Sequence, residues 1–285
     1  MRHVRIQHVL RTALSHRRRP LLLPQLAIRN NHSHHRSFSV SPQTVNSKPS
    51  SEYDPYEAYI ESMVLDMVRN SRSKKWGWVI YRCTYNDEAT WQRLKQSIFN
   101  QTHERVAITN TPELINHLDM VFFEDRALFE GASREQLRVH FKAWRDDAFS
   151  KLGPSDLQVC HGGRRPGFVL RHPDFMMSRF QQFIQVDEES LQSMCEEFEN
   201  PVFLLGTGHV NFVFANWPHK CEWEEEEEDC DDDKEVFEPI DGCTEKDVGW
   251  MKVAATGLDS SFFYFTCSIE GWQDEYVRPP EVHYI

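Results

Sequence analysis

The segment CHGGRRPG, Cys160–Gly167, combines residue types that hold anions in proteins. Its adjacent glycines let backbone N–H groups converge, and Arg164 and Arg165 could grip a carboxylate or a phosphate. His161 beside them titrates near neutral pH. We therefore predict an anion or ligand site at these residues. The alternative is a turn whose arginines face the protein's own acids.

A second polar pair lies within the apolar stretch GHVNFVFANW, Gly208–Trp217. In a strand, alternate side chains point to the same face, so His209 and Asn211 could line one groove. A strand with one partly exposed face explains the pair equally well. We keep His209 as a candidate ligand-binding residue, together with the glycine–arginine segment.

Motifs of common catalytic chemistry are missing from the sequence. It contains no Gly-x-Ser-x-Gly, no His-Glu-x-x-His and no P-loop. The seven cysteines are scattered without a Cys-x-x-Cys pair, unlike those of a zinc knuckle or a disulfide scaffold. We expect no metal and no cofactor, and we leave open whether the protein is an enzyme.

The highest density of charge in the chain lies in an acidic run, CEWEEEEEDCDDDKEVFEPIDGC, Cys221–Cys243. Residues 221–247 hold fifteen acids and two lysines. A calcium loop needs oxygen ligands at fixed offsets around a glycine, but counting from Asp229 puts Lys234 at that place. Like charges favour an open, hydrated chain. We interpret the run as a solvated insertion between two strands, with a docking segment for a basic partner as the alternative.

Three tryptophans flank predicted loops, namely Trp217, Trp223 and Trp272. Exposed aromatic residues are enriched at protein interfaces. We therefore predict that these three residues contact a partner, if the protein has one.

The first 50 residues hold eight arginines, one lysine and no acid. This composition is typical of a mitochondrial transit peptide. The segment RSFSVS resembles matrix-protease cleavage sites, which places the predicted cleavage region at Arg36, Ser37, Phe38 and Ser39. We predict a location in the mitochondrial matrix. A basic tail without a targeting role is the alternative.

The remainder of the chain is acidic, because the net charge is −12 despite this basic beginning. Nucleic-acid binding relies on lysines and arginines that face phosphates, so we expect no nucleic-acid partner. No stretch approaches the roughly 20 consecutive apolar residues of a transmembrane helix. We therefore expect no membrane span.

Apolar spacing predicts a helix around Tyr56–Val68 and an alternation of strands and helices after it. Asp87 and Asp187 can cap helices, SREQ at Ser133–Gln136 is a capping box, and the FFYF segment is predicted helical. The predicted strands lie in Trp76–Tyr85, Met120–Asp125, Arg179–Asp187, Gly208–Trp217 and Val248–Ala254.

These elements predict an α+β fold, a mostly antiparallel sheet with helices packed on one face. The connections are long and no glycine-rich phosphate loop joins a strand to a helix, which argues against a doubly wound dinucleotide fold. We predict a disordered presequence and linker at 1–50 and one domain at 51–285, with the acidic insertion at about 221–247.

Four segments resemble a large family of filamentous-fungal proteins that has no assigned activity. They are WGWVIYRCTYNDEATW (Trp76–Trp91), FIQVDEESL (Phe183–Leu191), CTEKDVGWMKV (Cys243–Val253) and RPPEV (Arg278–Val282). The resemblance runs from about Trp76 to the end of the sequence. It implies a fungal origin and one continuous domain, and it implies nothing about mechanism.

We therefore predict a non-catalytic mitochondrial protein that binds a protein partner or a small ligand. The alternative is an enzyme or accessory protein of a small-molecule pathway, such as one of specialised fungal metabolism. Its pocket would then lie near His161, Arg164 and His209.

Overall fold

A six-stranded mixed β-sheet runs through the centre of the structure, a computed structural model. The structure describes residues 55–107, 111–152, 177–199, 208–217 and 236–284, which belong to one compact unit. Their strands and α-helices are, in chain order, α1 (Pro55–Asn70), β1 (Val79–Arg82), α2 (Glu88–Ala107), β2 (Val121–Phe123), α3 (Arg126–Phe129), α4 (Arg134–Lys151), α5 (Ser178–Gln181), β3 (Gln182–Val186), α6 (Glu188–Glu199), β4 (His209–Phe214), β5 (Trp250–Ala254), α7 (Ser260–Phe265), α8 (Ile269–Glu275) and β6 (Val282–His283).

The strand order is β2-β1-β3-β4-β5-β6. Strand β1 is parallel to both of its neighbours, β2 and β3, and β5 is parallel to β6. Only the β3–β4 and β4–β5 pairs of this sheet are antiparallel. The α+β class is confirmed, whereas the expectation of a mostly antiparallel sheet is wrong. The long connections carry helices, and such connections allow the next strand to run parallel.

Helices cover both faces of the sheet, which corrects the prediction of one covered face. On one face, Ile80, Ile184 and Phe212 pack against residues of α1, α2, α6 and α7. On the other face, Tyr81 and Phe183 pack against Leu137 and Phe141 of α4. Strands buried on both faces lose the polar alternation that marks a half-exposed strand.

Local capping signals are confirmed where the helices begin. The Thr90 amide donates to Asp87 Oδ1 at 3.0 Å, and the Ser190 amide donates to Asp187 Oδ1 at 2.9 Å. Ser133 and Gln136 form the predicted capping box of α4. Side chains at these caps satisfy backbone N–H groups that have no partner within the helix.

The connections around β1 divide to opposite sides of the sheet. Helix α2 leads from β1 to β2 on one face, whereas α4 lies on the opposite face along the path from β2 to β3. From β1 the chain continues to β2 on one side, and from β3 it continues to β4 on the other side, so the strand order reverses between β1 and β3. The carboxyl ends of β1 and β3 therefore lie at a topological switch point, although the helices that follow them, α2 and α6, pack on the same face. In open α/β sheets, ligands bind outside the carboxyl ends of the strands at such a point.

The part of the acidic insertion that the structure describes, from Val236 onward, is held by Arg278. Its guanidinium donates to the carbonyl oxygens of Glu238 at 2.6 Å and of Lys246 at 3.1 Å. The rest of the run, residues 221–235, lies outside the described residues. Within the described ranges, no helix combines the length and the apolar character that a membrane span requires.

Candidate functional site

A crevice of about 350 Å³ opens at this switch point. Three segments that are far apart in the sequence form its walls: the chain after β1, the loop between α3 and α4, and the start of α6. The lining residues are Cys83, Thr84, Asn86, Glu130, Gly131, Ala132, Asp187 and Glu188. We call this site the switch-point crevice.

Glu188 lies at the first position of α6 and is surrounded by neutral donors. The Thr84 hydroxyl and the Asn86 amide both donate to Glu188 Oε2, the latter at 2.9 Å. Gln192 donates to Oε1 at 2.9 Å. These hydrogen bonds, that of Thr84 above all, lower the pKa of Glu188. The carboxylate is therefore ionised at neutral pH.

Asp187 connects the crevice to the predicted polar pair on β4. It caps α6 through Oδ1, and its Oδ2 accepts a 2.7 Å hydrogen bond from Asn211 Nδ2. Asn211 is almost fully buried, so its amide requires a partner of this kind. The bond holds Asp187 at the crevice wall.

Two further carboxylates lie beside the crevice. Asp87 accepts from the Thr90 hydroxyl at 2.6 Å and from the Thr90 amide, and these bonds lower its pKa. Glu130 accepts from Arg126 Nε at 3.0 Å and from Nη2 at 2.6 Å. Glu130 is therefore neutralised by an arginine of its own helical turn, whereas Asp87 is held by neutral donors.

Cys83 lines the crevice, and the buried Gln185 of β3 contacts the lining residues Cys83 and Ala132 without lining the crevice itself. Burial raises the pKa of the Cys83 thiol to about 12, so this sulfur is protonated and is not a nucleophile at neutral pH. The Gln185 amide nitrogen donates to the carbonyl oxygen of Ala132 at 3.1 Å. Its amide oxygen is buried and finds no hydrogen-bond donor among the described residues.

Behind the crevice, a row of buried polar side chains crosses three strands. Gln185 pairs in register with Asn211, and Asn211 with Lys252. The Lys252 ammonium forms an ion pair with Glu189. His209, 7% exposed, has its Nε2 atom 4.0 Å from the same carboxylate. The row gives the sheet a polar centre on the face that α4 covers.

Sequence reasoning named His209 and Asn211, which belong to the buried polar row and do not line the crevice, and it did not name Gln185 or Lys252. The one available signal was the polar residues at alternate positions of apolar strands. Strand register, which aligns Gln185, Asn211 and Lys252, is a property of the sheet and not of any one segment.

Most of the predicted site residues lie outside the described residues. These are His161, Arg164, Arg165, Trp223 and the cleavage region Arg36, Ser37, Phe38 and Ser39. His209 is the first residue of β4 and does not line the crevice. Trp217 is partly buried and packs against the core, with the Arg138 guanidinium carbon 5.4 Å from its ring centroid.

The predicted role of Trp272 as a partner contact is wrong. The sequence predicts a contact residue at a loop, but Trp272 lies in α8 and is fully buried. Its ring packs 5.2 Å from that of Phe214, and its indole N–H donates to Asp247 Oδ2 at 2.8 Å. A tryptophan with its ring in the core and its N–H paired is a packing residue.

Within the described ranges, no three side chains of His, Cys, Asp or Glu come close enough together to hold a metal ion. The described crevice thus offers carboxylates, hydroxyl and amide groups and a protonated thiol. This arrangement can hold a polar small molecule by hydrogen bonds and charge.

Comparison with known proteins gives no relative: the chain matches no protein-family model, no curated protein and no solved structure.

Proposed function

We propose that the protein binds a small molecule in the switch-point crevice. The carrying observation is that a crevice opens at the carboxyl ends of the adjacent parallel strands β1 and β3, where the strand order reverses. That position is the ligand site of open α/β sheets in general. The walls come from three distant segments, so the tertiary fold holds their polar groups in place before a ligand arrives.

The proposal is for a binding protein in preference to an enzyme. The thiol in the crevice is protonated, with a pKa of about 12. Asp187 and Asp87 are engaged as helix caps, and Glu130 is paired with Arg126. A general base needs an available proton-accepting group of suitable pKa within reach of the substrate. The carboxylates of Asp87, Asp187 and Glu130 are instead fixed in position by their hydrogen bonds and ion pair, so they are not available as general bases.

The Gly131→Asn substitution is expected to abolish ligand binding without unfolding the protein, because the new side chain would occupy the crevice. Gly131 lines the crevice with a φ of +66°, and a Cβ there would meet no atom within 4 Å. Asparagine tolerates this backbone region better than other residues with a side chain. Native mass spectrometry of gently purified protein should show a small bound mass in the wild type and none in Gly131→Asn.

Gly242→Asn is the matched control, because Gly242 has a φ of +82°, open space around it and no part in the crevice. It should keep the bound mass. A ligand retained by both variants would contradict the proposal. A co-purifying subunit in place of a small mass would favour the alternative in which the protein binds a partner.

We also propose that the protein acts in the mitochondrial matrix of a fungus. The basic, acid-free first 50 residues support the location, and the four-segment resemblance supports the origin. The protein purified from its own cells should begin near Phe38–Ser41 by intact mass. An intact Met1 in a cytosolic fraction would contradict matrix import.

A further inference from the structure

We infer that His140 makes a pH-sensitive contact with Tyr81: acidification releases α3 and α4 from the edge of the sheet and loosens one wall of the switch-point crevice. His140 lies in α4 and Tyr81 lies in β1. The wall concerned is the loop of Glu130, Gly131 and Ala132, which joins α3 to α4. The inference concerns how this loop is held, so it does not depend on what the crevice binds.

The His140 ring is half-buried and lies among three aromatic rings that come from three different elements. The centroid distances are 5.5 Å to Tyr81 of β1, 4.8 Å to Phe123 of β2 and 5.0 Å to Phe129 of α3. In all three contacts the ring planes are nearly perpendicular. Phe129 immediately precedes the crevice wall, so His140 connects this wall to β1 and β2.

A hydrogen bond determines how this cluster responds to protonation. Tyr81 is fully buried, and its hydroxyl oxygen lies 2.9 Å from Nδ1 of His140, its one hydrogen-bond partner among the described residues. Burial raises the pKa of Tyr81 far above its ordinary value, so the hydroxyl keeps its proton. We therefore assign that proton to the bond with Nδ1, which leaves the proton of the neutral imidazole on Nε2.

Protonation of His140 breaks this arrangement. An imidazolium carries a proton on both ring nitrogens, so Nδ1 becomes a donor and the Tyr81 hydroxyl proton loses its acceptor. The hydroxyl must then turn toward the surrounding aromatic rings, and a buried donor without a partner costs free energy. Burial also disfavours the charged ring and lowers the pKa of His140. Both effects act only while α4 stays packed, so acid favours the state in which His140 reaches water.

The charged residues of the surroundings do not offset the imidazolium charge, because burial alone shifts the pKa of His140. The side chains that face the ring from β1, β2 and α3 are aromatic, and of these only the first can ionise: Tyr81, Phe123 and Phe129. The side chains one turn away in α4 are uncharged: Gln136, Leu137, Ala143 and Trp144. Arg126 and Glu130, which flank α3, are exposed and pair with each other at 2.6 Å.

The contribution of His140 to stability is fully present above the ordinary histidine pKa of about 6.5, and it is lost as the pH falls through the lower pKa of the folded state. Hydrogen–deuterium exchange of the full chain at about pH 7.5 and about pH 5, corrected for intrinsic rates, measures the release. The Gly131 amide is the most direct probe, since its 2.9 Å hydrogen bond to the Cys83 carbonyl oxygen holds the wall to the chain after β1. We expect its protection to fall by about tenfold at the lower pH.

His140→Gln keeps an acceptor for the Tyr81 hydroxyl but does not titrate, so the acid-induced opening of the wall should disappear. His103→Gln is the matched control, because it removes an exposed histidine of α2 and should leave that opening as in the wild type. An NMR titration of isotope-labelled histidine rings in the wild type gives the pKa of His140 directly. Its resonance is the one that His140→Gln lacks.

Three results would overturn the inference. They are a pKa of His140 at or above about 6.5, which would mean that the aromatic rings stabilise the imidazolium, a wall that does not open in acid, and equal opening in the wild type and His140→Gln. If His140→Gln does not fold, His140→Phe fills a similar space and still identifies the resonance of His140. The titration of the wild type then decides.

Discussion

Replacement of Trp272 by alanine is expected to lower the free energy of unfolding by about 3–5 kcal/mol. The side chain is fully buried, and its ring packs against Phe212 and Phe214 of β4 at centroid distances of 6.1 and 5.2 Å. The truncation leaves a cavity and removes the 2.8 Å hydrogen bond to Asp247. Both losses act on the native state, so stability falls sharply.

Urea-induced unfolding, followed by fluorescence and by circular dichroism, measures the effect. Tyr59→Ala is the control, because Tyr59 is 56% exposed and its loss should change the stability by less than about 0.5 kcal/mol. Trp272→Phe should fall between the two, since it keeps much of the ring packing. A Trp272→Ala variant as stable as the wild type would instead support the surface contact that the sequence predicts.

Gly249→Ala is expected to destabilise the protein by about 2–5 kcal/mol, the combined cost of backbone strain and overpacking. Gly249 precedes β5 with a φ of +74°, and a Cβ at this position would lie 2.2 Å from Cγ of Trp217. Trp217 cannot move freely because it packs against the core. The Gly249 carbonyl also accepts a 3.1 Å hydrogen bond from the buried Arg138.

Gly242→Ala separates the two parts of this cost. Gly242 has a φ of +82°, but its Cβ would meet nothing within 4 Å, so only the backbone strain of about 1–2 kcal/mol remains. The double variant Gly249→Ala, Trp217→Ala should be more stable than the sum of the single changes, because the smaller side chain removes the clash. Equal effects of Gly249→Ala and Gly242→Ala would show that Trp217 does not constrain this position.

The local elements are predictable because the residues that stabilise them lie near one another in the sequence. Asp87, Ser133 and Asp187 each accept a hydrogen bond from an amide three residues further on, so a short window contains both partners. The five predicted strands are present, although each is shorter than predicted. The FFYF segment is helical in α7, as its apolar character predicts.

Strand direction and helix placement were mispredicted for a physical reason. Whether β1 and β2 run parallel depends on where a long connection returns the chain, and residues within either strand carry little of that information. The sheet is buried on both faces, so apolar runs replaced the alternation that would have identified an exposed face. The short β6, Val282–His283, has too few residues to show a pattern.

The sequence by itself therefore determined the helix caps, the approximate strands, and the acidic and basic character of residues 221–247 and 1–50, because these depend on neighbours in the chain. Only the tertiary structure decided the mixed sheet, the burial of Trp272 and the switch-point crevice. Cys83, Gly131 and Asp187 belong to three separate segments, and they meet because β1 and β3 end side by side. Their proximity follows from strand order and crossover direction, which are set by the packing of the whole core.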